Sequence, residues 1–178
     1  MDDREAYSAA YLVLYNRFYN YGVHLYNNTE LVEDVIQEVL LSVWMNRKGL
    51  GNISNPEGYY FVLFRRALTK KIREVSMVAA LDHDEWEPEF AIDAIMIRKE
   101  TDAALQKKLQ SAINTLTSRQ REAIFLRFYE GFSYEETAAV LGISVKATYK
   151  IMARSLLALR DKVALPLTYI LFLLRSQF

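Results

Sequence analysis

The chain has 178 residues, 52% of them apolar, which is enough for one packed domain or two small ones. It has no cysteine and only two histidines, His24 and His83, so a zinc finger and a thiol nucleophile are excluded and a histidine metal cluster is disfavoured. The formal charge is zero but unevenly divided: −5 over residues 1–44, +5 over 45–76, −6 over 77–103, +5 over 104–162 and +1 over 163–178. Two basic blocks separated by an acidic one match the electrostatic footprint that phosphate contacts need better than a generic mixed surface does.

The opening MDDREAY is acidic where a secretory leader would be basic and apolar, so a cytoplasmic protein is expected. From residue 6 to 26 aromatics recur at Tyr7, Tyr11, Tyr15, Phe18, Tyr19, Tyr21 and Tyr26. The spacing of Tyr7, Tyr11, Leu14, Tyr15 and Phe18 predicts a helix whose rings lie mostly in a core. Asn27 and Asn28 break it, and Thr29 is placed to cap the next helix, with Glu30 and Glu33 near its positive end. That helix, residues 30–46, puts Leu31, Val35, Val39 and Val43 on one stripe with Ile36, Leu40 and Trp44 beside it. Glu33, Asp34, Gln37, Glu38 and Leu41 fall on the other face, which by pattern alone is a solvated one.

Residues 45–54 are rich in Gly and Asn, carry Arg47 and Lys48, and read as a loop. Asn55 as N-cap and Pro56 in the first helical position signal a helix start. The helix over 57–74 places Tyr59, Tyr60, Phe61 and Phe64 ahead of Arg65, Arg66, Lys70, Lys71 and Arg73. Rings beside cations suit single-stranded nucleic acid, because bases stack on the rings while the cations follow the backbone. An aromatic core side opposite a solvated basic side fits the same pattern equally well. Residues 75–102, acidic and weakly periodic with Pro88, read as a linker between two helical domains.

Leu105, Leu109, Ala112, Ile113 and Leu116 resume helical spacing, and Thr117 with Gln120 caps the next helix. Ser133 and Glu136 form a capping box that opens a helix over 134–141. Gly142 makes the sharp turn, Ile143 plugs it, Ser144 caps a second helix, and Ala138 is the small residue that lets the two helices cross. This is a helix-turn-helix pattern. Val145, Thr148, Ile151, Met152, Leu156 and Leu159 suit its buried side, which leaves Lys146, Tyr149, Lys150, Ala153 and Arg154 to face a DNA groove. On capping and spacing alone, a plain helical hairpin with a solvated basic side is as good a reading. Residues 165–174, LPLTYILFLL, fall short of the roughly 20 residues that span a bilayer. Pro166 is expected to end the recognition helix, and the residues after it form either a last core helix or an apolar segment awaiting a partner.

Thr117-Ser-Arg-Gln-Arg-Glu122, Leu126-Arg-Phe-Tyr-Glu-Gly131, Ser133-Tyr-Glu-Glu-Thr-Ala138 and Leu141-Gly-Ile-Ser-Val145 resemble region 4 of the RNA polymerase sigma-70 family, in particular its small extracytoplasmic-function (ECF) group. Two-component regulators with a similar C-terminal domain share part of this wording and remain the alternative. Glu33-Asp-Val-Ile-Gln-Glu-Val-Leu-Leu-Ser-Val-Trp44 resembles the sigma region 2 helix that docks on the coiled coil of the polymerase clamp, which those regulators lack.

The resemblance covers nearly the whole chain apart from the tail. It implies an all-α fold of two small helical domains: region 2 over residues 1–76, an acidic linker over 77–103, region 4 over 104–164, and an apolar tail over 165–178. It implies binding without catalysis, cofactor or metal. Asp34, Gln37, Glu38 and Leu41 become the polymerase contacts. Arg47, Lys48, Tyr59, Tyr60, Arg65, Arg66, Lys70 and Arg73 fall at the minus-ten element, where a base is captured from the melted non-template strand. Ser144, Lys146, Ala147, Tyr149, Lys150, Ala153 and Arg154 fall at the double-stranded minus-35 element.

The implied partners are RNA polymerase core, through its clamp coiled coil and flap, promoter DNA, and an anti-sigma factor, often membrane-anchored. The family usually has Asn after the arginine and Asp or Asn four residues on; this chain has Arg66 and Lys70. Contacts there go more naturally to phosphates than to base edges, so the family's base preference does not carry over. Ala147 stands where Thr is frequent. The acidic linker either mimics nucleic acid in the polymerase channel or is a plain solvated connection. An enzyme is disfavoured, since there is no phosphate-binding glycine loop and no nucleophile with its base.

Overall fold

The computed structural model describes residues 3–46, 55–79, 90 and 103–164, and residues 166, 168, 170, 171 and 174 of the tail. Among these the regular structure is helical throughout, as expected, and no helix is long and apolar enough to cross a membrane. The chain divides into two compact units, Met1–Glu89 and Phe90–Phe178.

In the first unit, helices α1 (Asp3–Leu25), α2 (Thr29–Met45) and α3 (Pro56–Ala79) pack on one another. Phe18 lies at the centre, stacked on Phe64 at 4.5 Å and edge-on to Phe61 at 5.1 Å. Tyr21 meets the same two rings edge-on. The helices come this close because Gly22 has no side chain: a Cβ there would lie 2.6 Å from Val32 Cγ1 and 3.1 Å from Phe64 Cζ. The expectation that most α1 rings are core needs correction. Phe18 and Tyr21 are fully buried, whereas Tyr11, Tyr15 and Tyr19 form a half-buried stacked ladder at 6.1 and 6.3 Å. Their four-residue spacing puts them on one flank of the helix, rotated by about 100° from the stripe of Leu14 and Phe18. Tyr26 is half-buried as well, and the side chain of Tyr7 lies outside the described residues.

Helix α2 is capped by Asn28, not Thr29. Asn28 is extended and its Oδ1 accepts from Leu31 N–H at 3.1 Å, while Thr29 is already the first helical residue. Asn is at least as good an N-cap as Thr, so the earlier of two adjacent capping residues takes the role. The buried stripe is Leu31, Val32, Val35, Ile36, Val39 and Leu40; Val43 and Trp44 are half-buried. Asn55 caps α3 as expected, accepting from Gly58 N–H at 3.1 Å. Phe61, Phe64, Leu68 and Ile72 form the inner stripe of α3, which continues past residue 74 to Ala79.

In the second unit, α4 (Ala103–Asn114), α5 (Ser118–Ile124) and α6 (Tyr134–Leu141) all pack against α7 (Val145–Val163). Thr117 and Gln120 form a full capping box at the start of α5. A π-helical turn, Phe125–Tyr129, comes next, with Glu130 N–H donating to Phe125 C=O at 3.0 Å, and it buries Phe125 and Leu126. Phe90 is also buried in this unit, although it comes from the stretch read as linker. The rest of residues 80–102 lies outside the described residues. Helix α7 stops at Val163 with Ala164 left-handed at φ 56°, donating to Arg160 C=O, two residues before Pro166. In the tail, Ile170 and Leu174 are buried, which favours the core reading over the exposed one.

Candidate nucleic-acid and protein interfaces

On α2, burial of Val35, Ile36, Val39 and Leu40 turns Asp34, Gln37, Glu38 and Leu41 outward, and all four are exposed on one stripe. Leu41 is 57% exposed and Met45, one turn on, is 72% exposed. Met45 was missing from the sequence-based set, although four-residue spacing from Leu41 points to it. Glu33, expected on this face, is half-buried beside Tyr15. Burial, followed by the Glu33 carboxylate, pushes the Tyr15 hydroxyl above its usual range.

On α3 the aromatic run divides. Phe61 and Phe64 are core, whereas Tyr59 is exposed and Tyr60 half-buried, their rings 6.1 Å apart. Burial, followed by Tyr59, pushes the Tyr60 hydroxyl above its usual range. Arg66, Lys70 and Arg73 are exposed at three- and four-residue spacing, which makes one cationic stripe, and Arg65 is half-buried. Lys70 lies 3.8 Å from Glu74 within the helix. Sequence reasoning missed Arg17, which pairs with Glu57 at 2.7 Å and lies over the Phe61 ring at 5.1 Å, tying the start of α3 to α1. Arg47 and Lys48 lie outside the described residues.

The helix-turn-helix is built by local hydrogen bonds. Ser133 Oγ accepts from Glu136 N–H at 3.1 Å while Glu136 Oε2 accepts from Ser133 N–H at 2.6 Å. Gly142 is left-handed at φ 66°, and Ile143 N–H closes the turn on Ala138 C=O at 3.0 Å. This satisfies carbonyls at the end of α6 that would otherwise lack partners. Ser144 Oγ then accepts from Ala147 N–H at 3.2 Å, starting α7.

Thr148, Met152, Ser155, Leu159 and Val163 are buried, and Val145, Ile151 and Leu156 are half-buried. Ser155 was not expected inside; its hydroxyl donates to Ile151 C=O at 2.8 Å, so its burial leaves no unmet donor. Lys146, Tyr149, Lys150, Ala153 and Arg154 are exposed together, with Ser144 exposed at the start of the helix and Ala147 half-buried. Tyr149 stacks on Tyr134 of α6, ring centroids 4.1 Å apart at 16°, and the Arg127 guanidinium lies 5.3 Å from the Tyr134 ring centre. Tyr134 and Arg127 were not among the predicted site residues, and no local spacing links them to Tyr149.

The second helical unit presents a capped helix-turn-helix with a basic outer face, the architecture of the helix-turn-helix class. Residues 106–159 match the family described as Sigma-70, region 4. The chain is 27% identical to the RNA polymerase sigma-H factor of Pseudomonas aeruginosa, over 93% of this chain and 89% of that one. It is 25% identical to the ECF RNA polymerase sigma factor SigK of Mycolicibacterium vanbaalenii, over 89% of this chain and 82% of that one. A solved structure of the sigma factor RpoE in complex with the anti-sigma factor NepR, from Bartonella quintana, shares the fold. Its TM-score is 0.64 at 22% identity, covering 90% of this chain and 98% of that one. Residues 106–159 thus carry a sigma-70 region 4, and the chain is similar over most of its length to sigma factors of the extracytoplasmic-function group.

Proposed function

We propose that this chain is a sigma factor that directs RNA polymerase core to specific promoters and assists their opening, by binding alone and without covalent chemistry. The observation that carries this reading is that one chain combines a region 4 helix-turn-helix with the exposed Asp34, Gln37, Glu38 and Leu41 stripe of α2. A two-component regulator has no use for the second feature.

Residues 1–76 act as region 2. The α2 stripe docks on the clamp coiled coil, Leu41 supplying an apolar centre and the acidic groups setting orientation. Along α3, Arg66, Lys70 and Arg73 follow phosphates while Tyr59 and Tyr60 offer rings to an extruded base. Unstacking a base costs a few kcal/mol, and stacking on an aromatic side chain returns about 1–3 kcal/mol per base, so the rings offset part of the cost of opening. Residues 104–164 act as region 4 and place the N-terminal half of α7 in the major groove upstream. Lys146, Lys150 and Arg154 displace counterions there and fix the register. The flap of the polymerase holds this unit in place. An anti-sigma factor covering the same faces keeps the protein silent in the cytoplasm until it is needed. The relative of known structure, crystallised with its anti-sigma factor, supports this last part.

Run-off transcription with bacterial core polymerase, with and without the chain, on fragmented DNA of the source genome tests the proposal. Discrete new start sites sharing an upstream motif are expected. Core polymerase that neither binds the chain nor starts at new sites sinks the reading.

A further inference from the structure

The outer face of α7 combines cations with apolar groups. Its exposed side chains from residue 146 to 154 are Lys146, Tyr149, Lys150, Ala153 and Arg154, with Ala147 half-buried. No amide or carboxylate is among them, and the Ser144 Oγ just upstream accepts from Ala147 N–H in capping the helix. The three cations recur every fourth residue and form a line suited to a row of phosphates. Beside these cations, which can also reach guanine O6 and N7, the face offers two alanine methyls and one tyrosine ring. The feature of the major groove that apolar groups recognise is the 5-methyl of thymine.

An exposed tyrosine on a helix samples several rotamers, and ordering it on binding weakens the contact it makes. Tyr149 has been ordered in advance. Its ring lies nearly parallel to that of Tyr134 at 4.1 Å, and the Arg127 guanidinium packs 5.3 Å from the Tyr134 ring while donating to Phe132 C=O at 2.9 Å. Tyr134 belongs to the first turn of α6, so a side chain outside the recognition helix sets the orientation of one inside it.

We infer that Tyr149 reads the methyl group of a thymine in the upstream promoter element, and that Tyr134 is the positioning residue that holds its ring for that contact. The inference rests on the assignment of α7 to the major groove under the sigma reading.

Holoenzyme made from the full chain and core polymerase is titrated onto a promoter mapped by run-off, and onto copies in which each thymine of the upstream element is replaced in turn by deoxyuridine, which removes only the methyl. One replacement is expected to weaken wild-type binding about three- to fivefold, near the value of one buried methyl. Tyr149→Ala should be indifferent to that replacement. Tyr134→Ala should lose the discrimination too, whereas Tyr134→Phe, which keeps the ring, should retain it; if Tyr134→Ala does not fold, Tyr134→Leu takes its place. A structural role alone for Tyr134 lowers affinity for both DNAs equally and preserves their ratio, and that result overturns the positioning assignment. Transcription from the mapped promoter with no thymine replacement affecting the wild type, or with Tyr149→Ala keeping the ratio, overturns the inference while leaving the sigma reading intact. Absence of any initiation overturns both, and the transcripts distinguish the two failures.

Discussion

Phe90 meets Phe125 edge-on, ring centroids 5.2 Å apart at 65°, and is fully buried. Its backbone is held as firmly as its ring: the N–H donates to Ser118 Oγ and the carbonyl accepts from Arg121 Nε. Arg121 also donates to Leu116 C=O at 2.7 Å, so one guanidinium joins Phe90 to the turn before α5. An aromatic residue within an acidic stretch thereby becomes part of the core of the second unit.

Phe90→Ala should destabilise the second unit by about 3–5 kcal/mol, the usual cost of truncating a buried aromatic. Denaturant unfolding followed by helical circular dichroism, with hydrogen exchange at the amides of α5, gives the measurement. A loss within about 0.5 kcal/mol, the range of ordinary surface substitutions, would show that the ring is not part of that core.

Gly22→Ala should destabilise the first unit although it raises intrinsic helix propensity. The new methyl would meet the stiff β-branched side chain of Val32 at 2.6 Å, and such overpacking typically costs about 1–3 kcal/mol. The second unit should keep its exchange protection. A stabilised Gly22→Ala protein would contradict the close crossing of α1 and α2.

Asp34→Lys with Gln37→Lys should abolish association with core polymerase while leaving helicity and thermal midpoint unchanged, because both positions are exposed. Co-elution with core on size-exclusion chromatography is the readout. Unaltered holoenzyme formation would remove this face of α2 from the interface.

Lys150→Ala should weaken binding to upstream promoter duplex about equally across sequences, and reduce the slope of log affinity against log salt by about 1. Fluorescence anisotropy at several salt concentrations measures both. An unchanged slope would place the Lys150 ammonium away from phosphate.

Much of the helix-turn-helix was legible before folding was considered. Ser133 with Glu136, Gly142 and Ser144 each settle a backbone requirement within a few residues, so their spacing alone locates both helices and the turn. The exposed stripe of α2 was legible for a related reason, since its opposite face is so uniformly aliphatic that only one orientation buries it. Other features were not. Seven aromatics between Tyr7 and Tyr26 share one apolar character in the sequence, and nothing local shows that Phe18 and Tyr21 would be enclosed while Tyr11, Tyr15 and Tyr19 stay half-exposed. Which ring is covered depends on where α2 and α3 cross α1.

The sequence by itself determined where the helices lie, the caps of α3, α5, α6 and α7, the turn and the outward faces of α2 and α7, because those arise from hydrogen bonds and periodicity spanning at most a few residues. Only the tertiary structure decided that Phe90 completes a core, that Arg17 ties α3 to α1, and that Tyr134 stacks on Tyr149. Each of those pairs joins groups from separate elements, and such contacts form only when whole helix faces meet, which no local spacing encodes.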